Sequence, residues 1–224
     1  MKIYYHPVST TSRPLLLFCR ENNIAAEFQV VDLMKGEHVQ PPYSTKVNPN
    51  KLVPVLEDGD FRLTESSAIL KYLAEKTSSP AYPKDLKSRA KVNEMMDWIN
   101  TQLCRDLAYG LVYPQIFPTH KRPSDEQQNG TLAWAKERAR GWMKLLDGHM
   151  LGRKKYLCGE QITIADYFAS SFVSLAEFIR CDFKAYPNLE RWYHGMKSLK
   201  SWNKVHEIFY GFAGSMKDAK FEVV

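Results

Sequence analysis

The sequence predicts a two-part protein: a small α/β sandwich followed by an all-helical region. Residues 1–77 alternate between period-2 and helical patterns in the order β-α-β, loop, β-β-α. A Pro/Ser-rich stretch, "TSSPAYPKD", then interrupts the pattern. Beyond it strand signals vanish and long apolar stripes of helical spacing take over. The expected division is residues 1–77, a linker over 78–85, and a helical domain over 86–224.

Each element has its own signal. Residues 2–5, "KIYY", read as a strand. Residues 13–22 read as a helix, with Ser12 as the expected N-cap and Pro14 in the first turn, where a missing N–H costs nothing. Residues 27–33, "EFQVVDL", form a second strand, and a polar loop containing "KGEH" and "PPYSTKVNPN" follows. "LVPVLED" is a third strand, Asp58-Gly59-Asp60 a turn, and "FRLT" a fourth strand. "ESSAILKYLAEKT" is an amphipathic helix with Ile69, Leu70 and Leu73 on one face. The first unit implies a parallel crossover and the second a hairpin.

In the helical half, Val92, Met95, Met96, Ile99, Leu103, Leu107 and Leu111 mark a helix over residues 86–111. A second covers 125–151. A third covers 163–180, with Ile164, Phe168, Leu175 and Ile179 on its inner face. Thr163 and Asp166 have the spacing of a capping box, and Ile162 and Tyr167 stand at the staple positions. Shorter helices are expected near 188–198 and 202–212.

Composition narrows the function classes. With 224 residues and 44% hydrophobic content, the chain can bury a sizeable core. No stretch approaches the ~20 apolar residues of a membrane span. The N-terminus enters a strand pattern directly, so a cytoplasmic protein is expected. Residues 1–80 are electrically neutral, and the net charge of +6 falls on the rest. Its cations are interleaved with acids, so a solvated surface is expected and no nucleic-acid partner. Cys19, Cys104, Cys158 and Cys181 form neither C-x-x-C nor a zinc spacing, so reduced thiols and no metal are expected.

The stretch "HPVSTTSRP" holds four consecutive hydroxyls: Ser9, Thr10, Thr11 and Ser12. A nucleophilic serine needs an activating base. His6 is near, but no G-x-S-x-G elbow accompanies it.

Taken together, "YYHPVSTTSRP", "KGEH", "VNPNKLVPVLEDGDFRLTESSAILKYL" and "LCGEQITIADYF" resemble a cytosolic glutathione transferase of the serine-type classes theta, phi and delta, with theta most similar. The resemblance is dense over residues 1–77 and thin from about 84 to 155. It implies a thioredoxin-like domain that binds glutathione and a helical domain that binds a hydrophobic electrophile. It also implies a homodimer.

The resemblance assigns roles residue by residue. Ser9 is the hydrogen-bond donor to the glutathione thiolate, with Tyr5, near the end of the first strand, as its rival. Such a donor needs no base, because the anion belongs to the substrate. Ser12 is left as helix cap, and Thr10 and Thr11 complete the turn. His38 and Lys51 are assigned to the glycine carboxylate. The family often carries a second Lys where this chain has Leu52. Val53-Pro54 matches a cis-proline turn whose backbone pairs with the cysteinyl part. Glu65 and Ser66, at a helix N-terminus, suit the charged γ-glutamyl end. "YGLVYPQIFP" and "FYGF" supply the electrophile wall. The implied activity is thioether formation, with dehalogenation or peroxide reduction as side activities. The alternatives are a non-enzymatic module of the same fold, used in protein assembly or regulation, and a thiol oxidoreductase, which would need Cys in place of Ser9.

Overall fold

A computed structural model describes the whole chain, Met1–Val224. Strands β1 (Lys2–Tyr5), β2 (Glu27–Val30), β3 (Val55–Asp58) and β4 (Phe61–Leu63) form one sheet in the order β2-β1-β3-β4. β1 and β2 are parallel, across helix α1 (Arg13–Glu21). β3 is antiparallel to β1 and to β4, so the last two strands are the expected hairpin. Ile3 pairs with Phe28 on one side and Leu56 on the other. Helix α2 (Ser66–Lys76) follows β4 and buries Ile69, Leu70 and Leu73, the stripe the period predicts.

The remaining elements are helical. α3 (Leu86–Trp98) runs on through π-type turns over Ile99–Val112 into a short α4 (Tyr113–Ile116). α5 (Asp125–Leu145) likewise extends through Leu146–Leu151. Then come α6 (Ile164–Phe178), α7 (Pro187–Lys197) and α8 (Trp202–Ser215). The architecture is a thioredoxin-like sheet-and-helix unit joined to an all-helical one. No helix is long and apolar enough to cross a membrane.

Three strands are shorter than their sequence patterns, β4 by Thr64 alone. β2 stops at Val30, although Val31 still donates to the Tyr5 carbonyl at 2.8 Å. β3 begins only at Val55, because Pro54 has no N–H for a ladder. The Val53–Pro54 peptide bond is cis.

A single apolar core joins the two halves. It contains Ile3, Leu15 and Phe18 from the sheet unit, and Leu107, Phe168, Phe172 and Phe209 from the helical unit. The halves therefore share a buried boundary, and the rim between them is held in place. Gly110 belongs to this framework: a Cβ there would lie 2.7 Å from the Ala135 Cβ of α5. Only glycine permits that approach.

The Thr163–Asp166 box forms. The Thr163 N–H donates to the Asp166 carboxylate at 2.8 Å. The same buried carboxylate accepts the Leu157 N–H at 2.9 Å and the Trp192 indole N–H at 2.9 Å. It ties the loop before α6 to α7, a structural task.

His206, on α8, is buried flat on Trp202, with ring centroids 3.8 Å apart. Its Nδ1 faces the Trp202 carbonyl at 3.0 Å. Burial first, and then the positive charge of Arg13, depress its pKa from 6.5 to about 3. Unfolding frees the imidazole to take a proton, so this neutral histidine contributes stability above pH 6.5 and loses it as the pH falls toward about 3. Stability should fall by up to about 1.4 kcal/mol per pH unit just below pH 6 from this group alone. His206→Phe should flatten that segment of the stability–pH curve in urea titrations. An unchanged slope would refute the assignment.

Candidate functional site

The segment after β1 must stop a strand, start a helix and meet the helical unit within eight residues. It does so with hydrogen bonds from its own hydroxyls. The Ser9 carbonyl accepts the Ser12 and Arg13 N–H groups at 3.2 and 3.1 Å. The Ser9 Oγ also accepts the Ser12 N–H at 3.2 Å. Ser12 occupies the N-cap position in αR geometry, yet its side chain makes no capping bond. Its Oγ accepts the His6 N–H instead, at 3.4 Å. The side-chain cap expected of Ser12 is therefore absent: Ser9 holds the turn before α1 through the Ser12 and Arg13 N–H groups, and Ser12 bolts the end of β1 to the start of α1.

The other hydroxyls differ again. Thr11 Oγ1 donates to the Val53 carbonyl at 3.0 Å and lies 3.1 Å from Ser9 Oγ. A hydroxyl has one proton. With the Thr11 proton given to Val53, Ser9 is the donor in the Ser9–Thr11 pair. Ser9 therefore accepts the Ser12 N–H and gives its one hydrogen to Thr11, and it must turn from Thr11 to offer that hydrogen to a partner in the cleft. Thr10 turns to the helical unit: Tyr113 donates to its Oγ1 at 2.9 Å, and Ser171 donates to its carbonyl at 2.6 Å.

Ser9, Thr11, His38, Lys51 and Val53 line one cleft of about 230 Å³. Its opposite wall is aromatic: Tyr109, Tyr113, Phe117, Phe178, Phe209 and Phe212. Phe117 and Phe212 stack at 6.0 Å across the two segments that the sequence nominated. An adjoining pocket of about 360 Å³ is lined by Val53, Pro54, Thr64, Glu65 and Ser66. Thr11, Leu52, Val53 and Tyr109 border both, so the two are lobes of one groove.

Local structure explains each placement. Tyr43 and Asn48 donate to the Leu52 carbonyl at 2.6 and 2.8 Å, which pins the loop that presents Lys51 and Val53. Lys51 itself adopts φ +58°. Glu65 adopts φ +65° just before α2, a conformation that costs a non-glycine residue about 1 kcal/mol or more. Such strain sits where a side chain must be aimed. Ser66 opens α2 and is buried. The His38 Nδ1 is buried without a partner, a polar atom available to a ligand.

Tyr5 is elsewhere. Its ring packs edge-on against Phe28 at 5.7 Å, and it lines neither lobe. Strand alternation sends it to the sheet face opposite Tyr4, which bonds Glu57 at 3.0 Å.

The pattern of residues missed Thr11 as an anchor, and it missed Asn100 and Cys104 in the smaller lobe and His120 in the larger. His120 packs edge-on to Tyr109 and tilted against Tyr113, and burial lowers its pKa. Burial raises the Tyr109 and Tyr113 phenols, so both stay protonated at neutral pH. All four cysteines are free, and burial pushes Cys104 up to about 12. None is a thiolate nucleophile at neutral pH. No cluster of His, Cys, Asp or Glu is arranged to hold a metal ion.

A thioredoxin-like unit that carries a serine just beyond its interior strand β1 and faces an aromatic helical wall defines the architecture of a two-domain glutathione-dependent transferase. Comparison with known proteins agrees. The glutathione S-transferase N-terminal domain model matches residues 3–81, and the C-terminal domain model matches residues 85–200. Human glutathione S-transferase theta-1 is 35% identical over 195 residues, 86% of this chain and 80% of that protein. The apo structure of human glutathione S-transferase T1-1 superposes with a TM-score of 0.82 at 32% identity, covering 95% of this chain and 90% of that one. A delta-class glutathione transferase from Nilaparvata lugens gives 0.79 at 30% identity, covering 96% and 99%. Human glutathione transferase theta-2, solved in complex with glutathione, gives 0.80 at 28% identity, covering 99% and 92%. The chain belongs to the glutathione S-transferase family.

The Tyr113–Thr10 bond is the polar tie between the aromatic wall and the Ser9 turn. Tyr113→Phe keeps the ring stacking and leaves Thr10 Oγ1 without its donor. The expected cost is about 1 kcal/mol in chemical denaturation. No measurable loss would show that the bond does not help to hold the cleft together.

Proposed function

We propose that the groove binds glutathione along the loop Lys51–Pro54 and joins its sulfur to a hydrophobic electrophile held in the aromatic lobe. The observation that carries this reading is the meeting of Ser9, His38, Lys51 and Val53 in one lobe, with Glu65 and Ser66 in the adjoining one. These groups come from four separate segments, with His38 and Lys51 in one lobe and Glu65 and Ser66 in the adjoining one, a division that suits the two charged ends of an extended γ-glutamyl tripeptide.

In this reading Lys51 and His38 take the glycine carboxylate. The Val53 carbonyl has a second lone pair beside the one used by Thr11, and it receives the cysteinyl N–H. Ser66 and the free N–H groups at the start of α2 hold the γ-glutamyl carboxylate, and Glu65 pairs with its ammonium. The sulfur then lies over Ser9.

A free thiol has a reference pKa of ~8.5, so little is thiolate at neutral pH. Ser9 donates its hydrogen to the sulfur, and the start of α1 adds partial positive charge. Both favour the anion, whose proton leaves to solvent. The thiolate attacks the electrophilic carbon, a C–S bond forms, and the leaving group departs with its electron pair. The aromatic wall excludes water and holds the electrophile by burial. We take residues 1–77 as the glutathione-binding unit, 78–85 as a linker and 86–224 as the electrophile-binding unit. Family membership supports extending the reading to a cytoplasmic homodimer that serves detoxification.

The test compares two hydroxyls. Ser9→Ala should lower kcat/KM for glutathione conjugation of an aryl halide by about 10²-fold, the typical worth of one donor to a developing anion. Tyr5→Phe should change it by less than about twofold, since its ring faces Phe28. Equal losses, or the reverse order, would overturn Ser9 as donor. Failure to bind immobilised glutathione would overturn the whole reading.

A further inference from the structure

Arg13 is a fully buried cation with one hydrogen bond from its side chain. Its Nη1 donates to Ser174 Oγ on α6 at 2.9 Å. Nε and Nη2 are buried with no partner. The guanidinium lies 3.8 Å above the ring of Phe209, and Phe209 is part of the cleft wall.

Burying a charge is costly unless it is paired. The groups around Arg13 do not pair it. Glu177 of α6 is its nearest carboxylate by influence, yet Glu177 is already bonded by Lys197, by Tyr193 at 2.6 Å and by Tyr210 at 3.0 Å. Burial raises the phenols of Tyr113, Tyr193 and Tyr210, so they are neutral. His206 of α8 is neutral as well. The Glu177–Lys197 pair cancels itself, which leaves the Arg13 charge unbalanced. Desolvation lowers its pKa only to about 10, so Arg13 remains charged at neutral pH.

The placement of that charge is informative. Arg13 is the first residue of α1, and its N–H is bonded to the Ser9 carbonyl at 3.1 Å. On the cleft side, Lys51 is the one Lys or Arg among the lining residues of the larger lobe, and it belongs to the carboxylate end. The wall around Ser9 carries no cation of its own.

We propose that Arg13 is a positioning residue for the reaction, a buried cation behind the Phe209 wall whose field holds the substrate sulfur as the anion over Ser9. The inference rests on the glutathione reading above. An unneutralised charge in a water-excluded wall acts at longer range than one at the surface. It is also fixed before substrate arrives, so no reorganisation is needed during reaction. It adds to the field of the α1 N-terminus in the same direction. Arg13 touches no reacting atom, and the thiol proton still leaves to solvent.

The test is the apparent pKa of the glutathione thiol in the binary complex, read by ultraviolet thiolate absorbance across pH. Arg13→Met fills the space without the charge and should raise that pKa by about one unit. Its kcat/KM for an aryl halide should fall about tenfold below the thiol pKa and converge on wild type at high pH. Arg13→Lys should stay within about 0.3 units of wild type, and Ser174→Ala, which loses the bond and keeps the charge, should not shift it. A strut would lower stability in all three variants and leave the thiol pKa alone. Bound glutathione with a thiol pKa indifferent to Arg13→Met overturns the inference and leaves the site reading intact. If Arg13→Met does not fold, Arg13→Gln against Arg13→Lys decides: equal shifts overturn the inference. A wild-type protein that binds no glutathione overturns the site reading, and this inference with it.

Discussion

The structure depends on the eight-residue turn from His6 to Arg13. It ends the first strand, caps the first helix and docks onto α6, all with short polar side chains. Were Ser12 the cap, Ser9 would be an unconstrained loop serine. Ser9 takes the Ser12 N–H on its oxygen and gives its hydrogen to Thr11, so a rotation of its hydroxyl is enough to offer that hydrogen to the cleft. Thr11 then ties the same turn to Val53, which fixes the distance between the proposed donor and the backbone edge that faces it. A site built on a helix terminus and a strand end is more exact than one built on a free loop.

The helical half completes the groove by shape and by hydrogen bonds. Tyr113 and Ser171 reach Thr10, so the aromatic wall and the Ser9 turn are held together by hydrogen bonds as well as by packing. A continuous apolar core lies beneath them and spans both halves. Electrostatics divide between the lobes of the groove: Lys51 lines the larger, Glu65 the smaller, and neutral aromatic side chains line the larger lobe's wall. That division suits a zwitterionic, extended ligand beside an apolar one.

Much of this was legible in the residues. Helical periods located α3, α5 and α6 because core-facing apolar residues recur every three to four positions, and Leu107 and Phe168 are indeed fully buried. Ser9, His38, Lys51, Val53-Pro54 and Glu65-Ser66 were singled out because they follow a recognisable order, and they share one groove. Strand ends were overextended where Pro54 removes a ladder donor and where β2 simply runs out of partner. The four hydroxyls could not be told apart, since Ser9 and Ser12 both sit plausibly before a helix and only the backbone geometry selects one. Asn100, Cys104 and His120 reach the groove from the helical half, where nothing in a 3.6-residue period distinguishes a wall residue from a core residue. Arg13 was visible as a residue of the pattern, but its burial without a counter-charge is a property of the packed structure alone.

The proposed chemistry turns on the Ser9 hydroxyl holding the substrate sulfur. The most direct measurement is a crystal structure of this protein with glutathione bound. The account predicts the sulfur within hydrogen-bond distance of Ser9 Oγ, with Ser9 turned away from Thr11 and Tyr5 still packed on Phe28. A sulfur held by another side chain, or a tripeptide lying in the groove with its γ-glutamyl end toward Lys51, would contradict it.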